Sequence, residues 1–145
     1  MNIFEELRAD HQKQRTLVKI LAKTHGDSEG RQEIFEKLKH ELQIHATAEE
    51  RYFYVPLMKE ELTQEKARHS IAEHHEMDEL IEELEKTDMS SPHWVAVAKK
   101  LEEKVNHHLD EEEQEVFQLA GKALTEKEKE ELAKSYRQSM AYRDR

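Results

Sequence analysis

Two segments of the chain carry the same pair of side chains, a histidine followed four residues later by a glutamate. The pairs are His45 with Glu49 and His108 with Glu112. Residues four apart lie on one face of an α-helix, so each pair would present an imidazole and a carboxylate in the same direction. Both groups bind metal ions, and because the chain contains no Cys, a bound metal would have only nitrogen and oxygen ligands. The pairs therefore predict a metal site.

Two single histidines extend this pattern to four helices. His11 and His74 lie at helical spacing from apolar residues, on faces predicted to be buried. A buried glutamate without a partner costs on the order of several kcal/mol, and a nearby cation would offset that cost. We therefore predict a pair of metal ions in the interior, bound by six side chains: His11, His45, Glu49, His74, His108 and Glu112. This set suits non-haem iron, and zinc or manganese would also fit.

The composition favours long helices around such a site. Charged residues make up 39% of the 145 residues, and the chain has only 3 Gly and 2 Pro to form turns. The formal net charge is −10 and no basic cluster occurs, so neither nucleic acid nor an anionic membrane is expected as a partner. The sequence begins without a charged and apolar leader and has no long apolar run. We expect a soluble, cytoplasmic protein.

Helix start and stop signals divide the chain into four long helices and a short fifth one. The predicted boundaries are Asn2 to Gly26, Gly30 to Val55-Pro56, Thr63 to Asp88, and Ser91-Pro92 to Gly121. A capping box of Thr125 and Glu128 predicts the fifth helix at residues 125–140. Short connections make consecutive helices antiparallel. We therefore predict an all-α fold with an up-down-up-down four-helix bundle (residues 2–120) and a short C-terminal helix, in a single domain of residues 1–145.

The apolar register of the helices decides which histidines face the core. It selects His74 over His75 and His108 over His107, and it continues along the fourth helix to Leu119. A single histidine on an apolar helix face is more often an ordinary core residue than a ligand, but four of them beside two glutamates favour ligation. The other six histidines are predicted to be exposed: His25, His40, His69, His75, His93 and His107.

Short motifs around these positions resemble those of the hemerythrin-like, or HHE cation-binding, family. They are Asp10-His11, His45 with Glu49-Glu50, Glu73-His74, and His108 with Glu112-Glu113. The resemblance implies that His74 and His108 serve one iron ion and that His11 and His45 serve the other. It also implies that Glu49 and Glu112 bridge the two ions, together with an oxygen-derived bridge. Glu50 and Glu113 are expected at the surface or next to the ligands.

One position departs from the oxygen-carrying members of that family. They have a fifth histidine four residues after the third-helix ligand, where this chain has Asp78, so Asp78 is a further candidate ligand. The set of four histidines and two glutamates is also similar to the di-iron domain of the repair-of-iron-centres proteins, whose cysteine-containing N-terminal domain this chain lacks.

Three functions are compatible with this sequence. The leading expectation is a di-iron protein that binds or reduces a small oxidant (dioxygen, peroxide or nitric oxide), with an electron-donor protein as a partner. The alternative is an iron or oxygen sensor, or a metal-binding module without turnover. The third is a structural bundle that holds zinc or no metal.

Overall fold

The computed structural model describes residues 1–143, which fold entirely into helices and short connections without a strand. The prediction of an all-α fold is confirmed. The helices are α1 (Ile3–Leu21), α2 (Glu29–Glu49), α3 (Val55–Met58), α4 (Gln64–Lys86), α5 (Pro92–Glu111), α6 (Phe117–Ala123) and α7 (Glu126–Arg143). Two π-helical segments, Glu50–Tyr54 and Glu112–Val116, join α2 to α3 and α5 to α6. The last two residues of the predicted domain lie outside the described range.

Helix starts follow the capping signals of the sequence closely. Asn2 and Glu5 form the capping box of α1, and Thr125 and Glu128 form that of α7. Ser91 caps α5, with Pro92 in the first turn. In each case a side-chain oxygen accepts a hydrogen bond from a backbone N–H that has no partner within the helix.

Helix ends are less well predicted. The first helix is predicted to reach Gly26 but ends at Leu21. The backbone N–H and the hydroxyl of Thr24 both donate to the Leu21 carbonyl, and these bonds replace the next α-helical one. The second run was expected to end at Val55-Pro56 but continues to Met58. Pro56 is tolerated because it lies in the first turn of α3, where a backbone N–H is not needed.

The π-helical segments change the side-chain register after each His-Glu pair. A π-turn accommodates one more residue than an α-turn, so the core positions that follow Glu112 move along the chain by one residue. Leu119, which the α-helical period predicts to be buried, is only half-buried, and Ala120 is buried in its place. The predicted core position at Leu119 is therefore wrong, whereas Val116 is buried as expected.

Apolar residues form two clusters along the bundle. One contains Phe4, Phe53, Phe117 and Tyr136, and the other contains Leu38, Ile81, Trp94 and Leu101 among its members. Along each helix that carries a predicted ligand, the ligands come between residues of the two clusters. The predicted site is therefore a polar layer with apolar packing on both sides.

The pairing of the helices determines what surrounds this layer. The helix α4 packs against α5, α1 packs against α2 and α5, and α7 packs against both α1 and α2. None of the helices in residues 1–143 has the length and apolar character that a membrane span needs.

Candidate metal centre

All six predicted ligands are buried and meet in the polar layer. Their exposed fractions are between 0% and 4%. The helix α1 supplies His11, α2 supplies His45 and Glu49, α4 supplies His74, and α5 with its π-helical extension supplies His108 and Glu112. The imidazole of His11 lies at 5.3 Å from that of His45 between ring centroids, and His74 lies at 4.9 Å from His108. The imidazoles are thus arranged as two pairs.

Glu49 lies between the two pairs of histidines. Its Oε1 is 3.1 Å from Nε2 of His74. Its Oε2 is 3.4 Å from Nε2 of His45 and 3.9 Å from Nε2 of His11. One carboxylate oxygen therefore faces each pair.

Glu112 repeats this arrangement from the opposite helix. Its Oε1 is 3.1 Å from Nε2 of His11, and its Oε2 is 3.4 Å from Nε2 of His108. The hydroxyl of Tyr54 donates a hydrogen bond to Oε2, which fixes the orientation of the carboxylate. Two carboxylates that each face both pairs have the geometry needed to bridge two cations.

Every one of these histidines uses Nδ1 for a hydrogen bond and turns Nε2 toward the centre. Nδ1 of His11 is 2.6 Å from Glu113, that of His74 is 2.8 Å from Glu50, and that of His108 is 2.9 Å from Glu73. Carboxylate acceptors place the imidazole proton on Nδ1 and leave the Nε2 lone pair available for a metal. Glu50 and Glu113 thus lie beside the predicted ligands.

His45 has a different partner. Its Nδ1 is 2.6 Å from the hydroxyl oxygen of Tyr136 in α7, and that hydroxyl donates to Asp10 at 2.5 Å. Because the phenol proton is directed to Asp10, the Tyr136 oxygen accepts from Nδ1 of His45. The chain Asp10, Tyr136, His45 therefore produces the same tautomer that the other histidines obtain from a carboxylate.

The carboxylates around the histidines are held in their charged form. Burial raises the pKa of Glu73 and Glu113, but the hydrogen bonds from His108 and His11 outweigh it and lower each pKa to about 2. Burial likewise raises the pKa of Asp10, but the nearby imidazole of His45 and the hydrogen bond from Tyr136 outweigh it and lower that pKa to about 2. These groups remain acceptors at neutral pH.

The central carboxylates are in a different electrostatic situation. Burial and the adjacent charge of Glu49 hold the pKa of Glu112 well above its usual range. Burial lowers the pKa of His45, but Glu49 and Asp10 outweigh it and raise that pKa to about 9. Two buried carboxylates next to each other thus need positive charge, which protons or metal cations can supply.

Several central atoms have no hydrogen-bond partner among the described residues. They are Nε2 of His11, His45 and His108, both carboxylate oxygens of Glu49, and Oε1 of Glu112. Buried polar atoms are nearly always paired in proteins, so unpaired atoms that converge on one point indicate a ligand-binding centre. Two groups have ligand atoms close enough to hold an ion, namely Glu49, His74, His108 and Glu112, and His11, His45 and Glu49.

The other candidate residues lie outside this cluster. The side chain of Asp78 is exposed and belongs to neither buried group. The six remaining histidines are all exposed, as predicted. The exposed His69 forms a third group with the buried Glu73 and the half-buried Glu111.

Sequence reasoning did not assign roles to four residues that support the centre. They are Asp10, Tyr54, Glu73 and Tyr136. Asp10 and Glu73 directly precede His11 and His74 in the motifs, which was a usable signal. Tyr54 and Tyr136 resemble ordinary apolar core residues, and only the contacts between helices reveal their hydroxyl partners.

Two comparisons with known proteins found similar proteins. The sequence profile of the hemerythrin HHE cation-binding domain matches residues 2–120. The crystal structure of a hemerythrin HHE cation-binding domain-containing protein from Mycobacterium kansasii is similar, with a TM-score of 0.88 and 24% sequence identity. That alignment covers 99% of this chain and 87% of the other, and at this identity it establishes a shared fold. The search of curated proteins found no significant match.

Proposed function

Because the chain belongs to the hemerythrin HHE cation-binding domain family, we propose that it is a non-haem di-iron protein that binds or reduces a small oxidant. The oxidant would be dioxygen, peroxide or nitric oxide, and turnover would require an electron-donor protein. The observation that carries the proposal is the position of Glu49 and Glu112, each with one oxygen toward each pair of histidines. We further propose that the four ligand-bearing helices form an up-down-up-down bundle, in keeping with their short connections.

The residues present fit two metal cations. The unpaired Nε2 and carboxylate atoms at the centre have lone pairs directed inward, and cations would satisfy them all at once. Four imidazoles and two carboxylates would leave two ions with positions open to a small ligand. In our assignment His11 and His45 would hold one ion and His74 and His108 the other, and Glu49 and Glu112 would each offer one oxygen to each ion.

The protein contributes orientation, charge and exclusion of water. Glu50, Glu73 and Glu113 fix the tautomer of three histidines and increase the basicity of Nε2. The two apolar clusters keep bulk water away from the layer. When bound, a pair of iron ions would supply Lewis acidity and electrons for a small oxidant.

Metal loading combined with optical spectroscopy tests the proposal. We expect about two ferrous ions per chain after anaerobic loading, a spectral change on exposure to oxygen or nitric oxide, and consumption of added peroxide. Glu49→Gln should lose most of the metal, whereas Glu79→Gln, at an exposed position of α4, should keep it. A stable and fully reversible oxygen complex without peroxide consumption would exclude reduction of the oxidant. Only its binding would then remain as the function.

A sensor is the second candidate, and one contact favours it. Tyr136 connects the C-terminal helix α7 to His45, so metal loading could change how α7 packs on α1 and α2. If iron sensing is the function, loading should alter the protease sensitivity of α7 more than that of α4. Equal protection of both helices would count against a sensor.

A further inference from the structure

A small internal cavity lies next to the predicted metal centre. His45, His74 and His108 line its inner side, and Gln14, Ala46 and Asp78 line other parts of its wall. It leaves about 10 Å³ for the centre of a water-sized molecule, which is the room that about one water molecule needs. A diatomic or similarly small ligand is therefore the class of molecule that suits this space.

Gln14 is a polar residue of this wall whose burial is not explained by a hydrogen bond from its side-chain Nε2. Its side chain is 2% exposed, and its Nε2 is buried without an acceptor among the described residues. It lies in α1, one turn after His11. A buried amide donor without a partner destabilises the fold, so an amide retained beside the centre indicates an acceptor that binds there.

An open groove on the surface leads toward the same cavity. The groove runs between α2 and α4, has a volume of about 730 Å³, and shares Ala46 and Asp78 with the inner cavity. Ala46 is half-buried and Asp78 is exposed. One methyl group and one carboxylate therefore lie between the open groove and the cavity beside the histidines.

Charge at the groove selects among small molecules. Its charged side chains are Lys39, Glu50, Arg51, Asp78, Glu82 and Glu85, four acidic and two basic. Lys39 is already paired with Glu85 at 2.6 Å. The excess of negative charge disfavours anions and leaves uncharged molecules unaffected.

We propose that an uncharged small ligand with a lone pair enters between α2 and α4 past Ala46 and Asp78 and accepts a hydrogen bond from Nε2 of Gln14. This inference rests on the proposed function, since the ligand is the oxidant of the metal centre. It makes Gln14 a positioning residue and assigns Asp78 to the access path.

Nitric oxide binding to protein loaded with ferrous iron tests the role of Gln14. Gln14→Leu removes the donor and keeps a similar volume, so the dissociation constant should rise about five-fold, the effect of losing one hydrogen bond. The N–O stretching frequency should shift as well. Gln12→Leu, at an exposed position of the same helix, should change neither quantity. Metal content and the melting temperature of the metal-free protein should not fall in Gln14→Leu, because its Nε2 has no partner to lose.

Association kinetics test the access path independently. Ala46→Leu should slow nitric oxide association about ten-fold or more, whereas Ala72→Leu on the exposed face of α4 should not slow it. Equal dissociation constants for wild type and Gln14→Leu, or unchanged association in Ala46→Leu, would overturn this inference while the proposed function stands. If wild-type protein that holds two iron ions bound no nitric oxide, the proposed function would fail, and this inference would fail with it.

Discussion

The four histidines of the centre differ in the residue that holds Nδ1. His11, His74 and His108 each have a carboxylate partner, whereas His45 has the neutral hydroxyl of Tyr136, with Asp10 behind it. A carboxylate increases the basicity of the imidazole more than a phenol does, because the negative charge stabilises the proton on Nδ1. The metal position served by His11 and His45 should therefore depend on one hydroxyl group.

Replacing Tyr136 by Phe should weaken that position selectively. The hydroxyl lies within 2.6 Å of both His45 and Asp10, whereas Nδ1 of His45 is 3.9 Å from the Asp10 carboxylate. Loss of such a partner typically weakens metal binding roughly 10- to 100-fold. Titration with Zn²⁺ in competition with a chelator should show one of two sites weakened. Tyr142→Phe, at a residue that is 71% exposed, is the matched control. Equal affinities of both sites in Tyr136→Phe would contradict the assignment.

At the scale of the helices, the two π-helical segments explain how one helix can contribute both to the polar layer and to the apolar core. Each segment begins at the end of a His-Glu pair, and the extra residue in the turn brings Phe53 and Tyr54 into the core side by side. Tyr54 can donate to Glu112 because of this placement. The helix thus carries ligands on one turn and a supporting hydroxyl on the next.

The shifted register can be tested by comparing two neighbouring positions. Ala120 is fully buried, so Ala120→Leu should overpack the core and cost about 1–3 kcal/mol. Leu119→Ala should cost less than about 1 kcal/mol, since Leu119 is only half-buried. Urea unfolding of the metal-loaded protein measures both. The reverse order would mean that the α-helical register continues through residues 112–116.

The helix connections at one end of the bundle are joined by Arg31. Its guanidinium donates to the carbonyl of Met89 at 2.7 Å and to the carbonyl and hydroxyl of Thr24 at 2.6 and 3.0 Å. The same group stacks on Trp94 at 4.6 Å from the ring centroid. The connection between α1 and α2 is thereby attached to the connection between α4 and α5.

Arg31→Lys should destabilise the protein although the charge is kept. An ammonium group cannot form the three hydrogen bonds and the planar stacking together, so we expect a loss of about 1–3 kcal/mol. Chemical unfolding gives this value, and metal content should remain unchanged because Arg31 contacts no predicted ligand. Arg68→Lys at an exposed position should have no effect. An equally stable Arg31→Lys would show that the connections hold without this link.

For the whole molecule, the central question is what compensates two buried carboxylates. Glu49 and Glu112 are at most 1% exposed, and they face each other across a layer enclosed by apolar clusters. Desolvation and mutual repulsion both act against the metal-free fold. Metal binding would therefore contribute to the stability of the protein as well as to its chemistry.

Removal of metal should lower the melting temperature. A metal present at 100 times its dissociation constant stabilises by about 2.7 kcal/mol, which corresponds to roughly 10 °C for a chain of this size. Calorimetry with Zn²⁺ and then with a chelator measures the shift. The double variant Glu49→Gln/Glu112→Gln should show no metal-dependent shift, and without metal it should melt no lower than wild type. A wild-type protein that melts at the same temperature with and without metal would contradict this picture.

The sequence alone was sufficient to place the four histidines and two glutamates of the centre in the interior, and to predict the all-helical fold. Helical periodicity places His11, His74 and the two His-Glu pairs on apolar faces. Because burying a carboxylate is costly without a compensating cation, this placement predicts a metal site. Capping residues such as Asn2 and Ser91 likewise act on their own helix, so their effect can be read locally.

Only the tertiary structure determined which atoms face each other. The division of each carboxylate between two histidine pairs, the contact of Tyr136 with His45, and the unpaired amide of Gln14 all depend on distances between helices. The π-helical segments also could not be predicted from helical periodicity, because a single extra residue in a turn changes the side-chain register without changing the composition. Periodicity specifies the face on which a side chain lies, whereas packing specifies its partner.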